Sequence, residues 1–224
     1  MTPTRAWVLL KSGRTINLLD PEPDSWDDSD LAIGLSRTYR WGGHSCWDLP
    51  LSVAQHSLLV LALREQMQEH PLTRAQALRE LLHDAPEGLL GFDPINPLKP
   101  HLGPEYAALD ARLQTAINAR YQLPAWTDED HDLHKKADRL AAASEAFHVV
   151  GWSPEAIRDQ LLIPIQSIEF DPLTRPAHTK PWEPWPARTA AARFLHKLQD
   201  LLAPDPEVEP SPEQVAVTER EPRL

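Results

Sequence analysis

The chain of 224 residues is long enough to bury a sizeable core, and it fits one domain with a tail better than two full domains. Its formal net charge of −11 excludes a general nucleic-acid-binding surface, which needs a basic stripe to displace counterions; small anionic ligands stay open, because only local charge matters to them. No run of about 18 apolar residues marks a membrane span and no basic-then-apolar leader is visible, while the single Cys46 allows no intramolecular disulfide. A cytoplasmic protein with no membrane partner is the expectation.

Residues 1–28 read as a hairpin and lead-in: Trp7-Val-Leu-Leu10 and Thr15-Ile-Asn-Leu-Leu19 flank a turn at Ser12-Gly13. Leu, Ala and Ile at three- and four-residue spacing then predict helices over 29–40, 52–68, 73–84, 104–121, 131–150, 153–162 and 187–202. The fold class is therefore all-α, a helical bundle over 29–202. Ser52 with Gln55, and Thr73 with Gln76, have the spacing of capping boxes. The stretch near 165–187, rich in Pro and Trp, predicts an extended strap packed on the bundle, and 203–224, rich in Pro and Glu, predicts a disordered acidic tail.

The chemistry is concentrated around His83 and Asp84, adjacent residues at the end of the apolar run Ala75–Leu82, with Glu87 three positions on. An imidazole and a carboxylate so placed can share a metal ion, and a carboxylate one turn further can reach a water bound to it. An isolated His-Asp pair is more often a surface or capping feature. Its setting adds weight: His56 falls in the first turn of another apolar helix, and Asp138 precedes Leu140 in an Ala-rich helix, where it can face the bundle interior. His56, His83, Asp84 and Asp138 make a mixed nitrogen and oxygen set for one divalent cation: Mn, Co, Fe, Ni, Zn or Mg.

Four blocks in order, Leu35-Ser-Arg-Thr-Tyr-Arg40-Trp41-Gly-Gly-His44, Ser52-Val-Ala-Gln-His-Ser57, Leu81-Leu-His-Asp-Ala-Pro-Glu87 and Gly91-Phe-Asp93-Pro-Ile-Asn-Pro-Leu-Lys99, resemble the HD-domain phosphohydrolases, and among them the 5′-deoxynucleotidases and related small bacterial and phage enzymes. The resemblance covers roughly residues 30–148. It implies an HD-domain bundle that hydrolyses a small nucleotide, a deoxynucleoside 5′-monophosphate before a triphosphate, and that pairs as a homodimer. A triphosphohydrolase releasing tripolyphosphate is the rival, and a metal- and nucleotide-binding sensor without turnover the alternative of another class. Glu87 is the candidate to orient or deprotonate the water, and Asp93 matches by resemblance the acid for the leaving oxygen. From Glu87 to Asp93 the chain is one residue longer than the family pattern.

Arg40, Trp41 and Lys99 are the candidate substrate contacts: a guanidinium and an ammonium for phosphate, an indole for the nucleoside side. The plainer reading of the first two is a helix end at Gly42, with Arg40 at the negative pole and Trp41 in the core. His131 and His134 raise a second metal, but their acidic setting Asp128-Glu-Asp-His131-Asp132 favours an exposed helix start and one ion.

Overall fold

In the computed structural model, described over residues 5–203, the chain is all-α with a short N-terminal hairpin. Strands β1 (Trp7–Leu9) and β2 (Thr15–Asn17) pair antiparallel, with Val8 opposite Ile16. Gly13 turns the hairpin at φ 90°, a conformation that a Cβ disfavours. The turn is tied to the bundle by Ser12, whose N–H and hydroxyl donate to the Asp30 carboxylate at 3.0 and 2.6 Å. Ile16 thereby points into the core.

Eight α-helices follow among the described residues: α1 (Asp28–Arg37), α2 (Val53–Gln66), α3 (Arg74–Leu81), α4 (Ala85–Leu90), α5 (Gly103–Tyr121), α6 (Asp128–Glu145), α7 (Pro154–Asp159) and α8 (Ala187–Leu202). Helix α1 packs on α4 and α8, and α2 on α3 and α6. Leu31, Leu35, Leu61, Leu81, Ile117, Phe194 and Leu198 lie fully buried or nearly so, forming one continuous apolar core. No described helix is long and apolar enough to cross a membrane.

The boundaries depart from the predicted ones where side chains compete for the backbone. Helix α1 ends at Arg37, three residues early, because the Thr38 hydroxyl and N–H both take the Gly34 carbonyl at 3.0 Å. The chain then runs extended: Tyr39 bridges Ser52 and the Arg40 N–H donates to Leu51. Gly42 therefore closes no helix. Arg40–Gly43 form a separate 3₁₀ turn in which Trp41 (φ 58°) and Gly42 (φ 62°) are left-handed. The helix expected over 73–84 breaks at Leu82, so His83 and Asp84 occupy a kink and α4 starts afresh.

Two capping expectations separate. Thr73 and Gln76 form the reciprocal box, and Ser52 Oγ accepts from the Gln55 N–H at 3.2 Å. The Gln55 side chain does not reach back; its Nε2 donates to the Glu183 carbonyl at 3.2 Å and its Oε1 accepts from the Trp185 N–H at 2.7 Å. It clamps the strap, which carries no regular element from 160 to 186 and buries Trp182 and Trp185. Helix α6 begins at Asp128, earlier than the expected 131, because Thr127 caps it through Asp130 N–H and three acids suit the positive end. After Glu145 a π turn, Ala146–Val150, widens the helix before Gly151 ends it at φ 86°. Of the tail expected over 203–224, residues 204–224 lie outside the described residues.

Candidate metal centre

The kink between α3 and α4 delivers His83 and Asp84 opposite the first turn of α2, which carries His56, and the middle of α6, which carries Asp138. One ligand atom each from His56, His83 and Asp84 fall within 4.8 Å of one another. Asp84 Oδ2 is 3.4 Å from His56 Nε2 and 3.3 Å from His83 Nε2, and Asp138 Oδ1 approaches His56 Nε2 at 3.5 Å. The structure brings all four expected ligands together, with Asp138 at the margin of the tighter group of three.

Both imidazoles have their outer nitrogen occupied. His56 Nδ1 donates to Glu145 Oε1 at 2.6 Å, and His83 Nδ1 donates to the Glu80 carbonyl at 2.7 Å. In the neutral ring this leaves each Nε2 with its lone pair, and the two Nε2 atoms face each other 3.4 Å apart. Two lone pairs and two carboxylates aimed at one point repel unless a cation lies between them. The donor set therefore fits a divalent metal ion. Without a cation the strain falls on protons: burial and Arg40 work against a charge on His56, but Glu145, Asp138 and Asp84 hold its pKa well above the ordinary value. Burial works against charge on Asp84 as well, yet His83 and His56 hold it well below the usual carboxylate range.

Glu87 and Asp93 stand behind this group and are buried. Glu87 Oε1 accepts from Lys99 Nζ at 3.0 Å, while Oε2 is buried without a hydrogen-bond partner, as is Asp93 Oδ1. Burial, with Asp84 and Asp93 adding, pushes the Glu87 pKa up to about 9. Burial raises Asp93 too, against the pull of Arg40. Gly91, left-handed at φ 72°, ends α4, and two residues on Asp93 lies 3.4 Å from Arg40.

Arg40, Trp41 and Lys99 all reach the site. Burial opposes the Arg40 charge, but Glu145 (3.5 Å), Asp93 (3.4 Å) and Asp84 (3.8 Å) hold its pKa well above the ordinary arginine value. Trp41 is not core; its ring lies partly exposed against Ala143, Ala146 and Ile157, and its Nε1–H donates to Glu145 Oε2 at 3.1 Å. Two cavities meet here. One of about 450 Å³ is polar and includes His83, Asp84, Arg79, Asn118, Trp126 and His134. The other, of about 220 Å³, is framed by Trp41, Pro94, Ile95 and Leu161–Ile163. Arg40, Lys99, Asn96 and Asp138 line both.

Sequence reasoning missed Glu145 and Glu80. Glu145 is 0% exposed, and its two oxygens connect His56 on one side with Trp41 and Arg40 on the other. Its spacing of seven from Asp138, two helical turns on one face, is the signal that could have found it. Glu80, also buried, accepts from His134 Nδ1 at 2.8 Å and lies 3.3 Å from Arg64 Nε. His134 is thus buried, not exposed as its acidic neighbours suggested, and its ring lies 4.9 Å from that of His83. His131 and His44 are exposed. Cys46 is exposed, its thiol donating to the Val150 carbonyl at 3.0 Å.

No family model matches the chain. An uncharacterized protein of Rhodobacter capsulatus is 40% identical over 158 residues, a match spanning 70% of this chain and 79% of that protein.

Proposed function

The chain belongs to the same family as the Rhodobacter capsulatus protein, and for this member we propose a metal-dependent hydrolysis of small nucleotides of the HD-domain type, with deoxynucleoside 5′-monophosphates as first substrates. The observation that carries the reading is the facing pair of Nε2 atoms of His56 and His83, closed by Asp84 and Asp138 and backed by two buried carboxyls. His56, His83, Asp84 and Asp138 would hold the ion. When bound, a divalent cation there acidifies a water, polarises a phosphoryl oxygen and by its charge favours ionised Glu87.

The chain's own residues supply the rest. The phosphate sits where the two cavities meet, between Arg40 and Lys99, and the nucleoside extends into the cavity beside Trp41. Glu87, fixed by Lys99, orients the attacking water and takes its proton. As water oxygen bonds to phosphorus, the bond from phosphorus to the ribose oxygen breaks. Asp93, whose pKa burial raises, is the group that gives that oxygen its proton. A single phosphate suits the position between Arg40 and Lys99, since a longer chain lying there would bring more negative charge toward ionised Glu87.

The test is turnover of a nucleotide panel with several divalent metals, resolved by chromatography. Orthophosphate from deoxynucleoside monophosphates should exceed tripolyphosphate from the triphosphates in kcat/KM. Dominant tripolyphosphate with untouched monophosphates would overturn the substrate choice, and no phosphate release with any metal would overturn the hydrolase.

A further inference from the structure

Helix α3 carries a charge that the reading above leaves unused. Arg79 is 7% exposed, lies one turn before His83, and lines the same 450 Å³ cavity. Three other guanidiniums of the bundle meet a carboxylate, Arg40 at Asp93, Arg64 at Asp130 and Arg120 at Asp28, while half-buried Arg193 donates to the Thr174 carbonyl. Among the described residues Arg79 meets no carboxylate. Its Nη1 donates to the Asn118 amide oxygen at 3.2 Å, an oxygen already shared with Gln114 Nε2 at 2.9 Å. Its Nε is buried with no hydrogen-bond partner, and its plane lies 5.3 Å from the centre of the Trp126 ring.

A guanidinium taken from water and offered only a shared neutral amide and an aromatic face is poorly compensated; burial accordingly lowers its pKa. What it lacks is an anion, and the cavity gives an anion a way in. Lys135, exposed on α6, lines the same cavity, while Lys99, paired with Glu87, belongs to the first phosphate position. Trp126 fixes the fork from behind, stacked in turn on His134 at 4.7 Å. A planar, pre-set fork with an exposed ammonium lining the same cavity is suited to a tetrahedral oxyanion.

We infer that Arg79, Lys135 and the Trp126 face form a second phosphoryl subsite, one helical turn from the His83–Asp84 pair. The inference rests on the phosphohydrolase reading for the choice of phosphoryl over other anions. Its occupant is either free orthophosphate or a further phosphate of the nucleotide itself, and the two sources share the same recognition chemistry. The second would extend the substrate class to nucleotides bearing more than one phosphate.

Calorimetric titration of the full chain at saturating manganese, with orthophosphate and with methylenediphosphonate, separates the cases. Diphosphonate should bind about tenfold or more weakly to Arg79→Gln than to the parent, the loss of one charge-assisted contact. If free phosphate is the occupant, the orthophosphate titration carries that loss instead. Unchanged affinity for both anions in a variant that keeps its helical circular dichroism overturns the subsite. Should Arg79→Gln fail to fold, Lys135→Ala at its exposed position carries the test: a loss of about threefold or more supports the subsite, and parent affinity overturns it. Nucleotide turnover measured beside these titrations keeps the readings apart. Arg79-dependent binding without any turnover would remove the hydrolase and leave the subsite; turnover without Arg79-dependent binding would do the reverse.

Discussion

Glu145→Gln removes one negative charge and almost no volume from the centre of the site. The parent carboxylate is 0% exposed and accepts from His56 Nδ1 at 2.6 Å and Trp41 Nε1 at 3.1 Å, with Arg40 Nε 3.5 Å away. It fixes the His56 tautomer and raises the basicity of the Nε2 turned toward the metal position. Outer partners of this kind are worth about 10- to 100-fold in metal affinity, or about 1.4–2.8 kcal/mol. An amide can still accept one hydrogen bond, so the fold should persist while the metal dissociation constant rises within that range. Glu145→Ala should cost more, because the His56 and Trp41 N–H groups both lose their acceptor, at about 1–3 kcal/mol each. Calorimetric manganese or cobalt titration, with thermal melts of the metal-free proteins, measures both quantities. Parent affinity in a folded Glu145→Gln would refute the positioning role.

In the metal-free protein the Glu87 pKa of about 9 lies above its ordinary 4.5, so folding binds a proton between the two values. Its contribution to stability is complete below about 4.5 and is lost as pH rises through about 9; Glu87→Gln should flatten that part of the melting profile, and parallel profiles would contradict it. Gln55→Ala removes both strap contacts and leaves the Trp185 N–H unpaired, so it should destabilise by about 1–3 kcal/mol and speed proteolysis within 165–187. Unchanged cleavage there would refute the clamp. Gly88→Ala would place a methyl 2.5 Å from Leu35 Cγ where α1 crosses α4, and should cost about 1–3 kcal/mol or more in urea unfolding while displacing Glu87; a stability equal to the parent's would contradict the close approach.

The parts legible in the sequence were those with a local signal. Helical spacing placed seven of the eight helices, since an amphipathic stripe is written within one element. Helix α4 was hidden because its six residues, Ala85–Leu90, are too few to show a helical repeat and include Pro86 and Gly88, and only the kink at Leu82 sets it apart as a second helix. Likewise His56, His83, Asp84 and Asp138 stood out by residue type and setting. Glu145 did not, because its partner His56 is 89 positions away and its neighbours are small residues of an ordinary helix. Gln55 was misread for the same reason: its local partner is one helical turn off, but its actual partners are 128 and 130 positions along. Arg79 carries no local signal of its burial, which only the packing of the bundle creates.

The central claim is that His56, His83, Asp84 and Asp138 hold one catalytic divalent ion. Metal content and orthophosphate release, measured on the same preparations of the parent chain and of Asp138→Ala, test it most directly. The account predicts about one ion per parent chain with phosphate released from a deoxynucleoside monophosphate, and loss of both in Asp138→Ala while its helical signal persists. A folded Asp138→Ala that retains its metal and full turnover would contradict it.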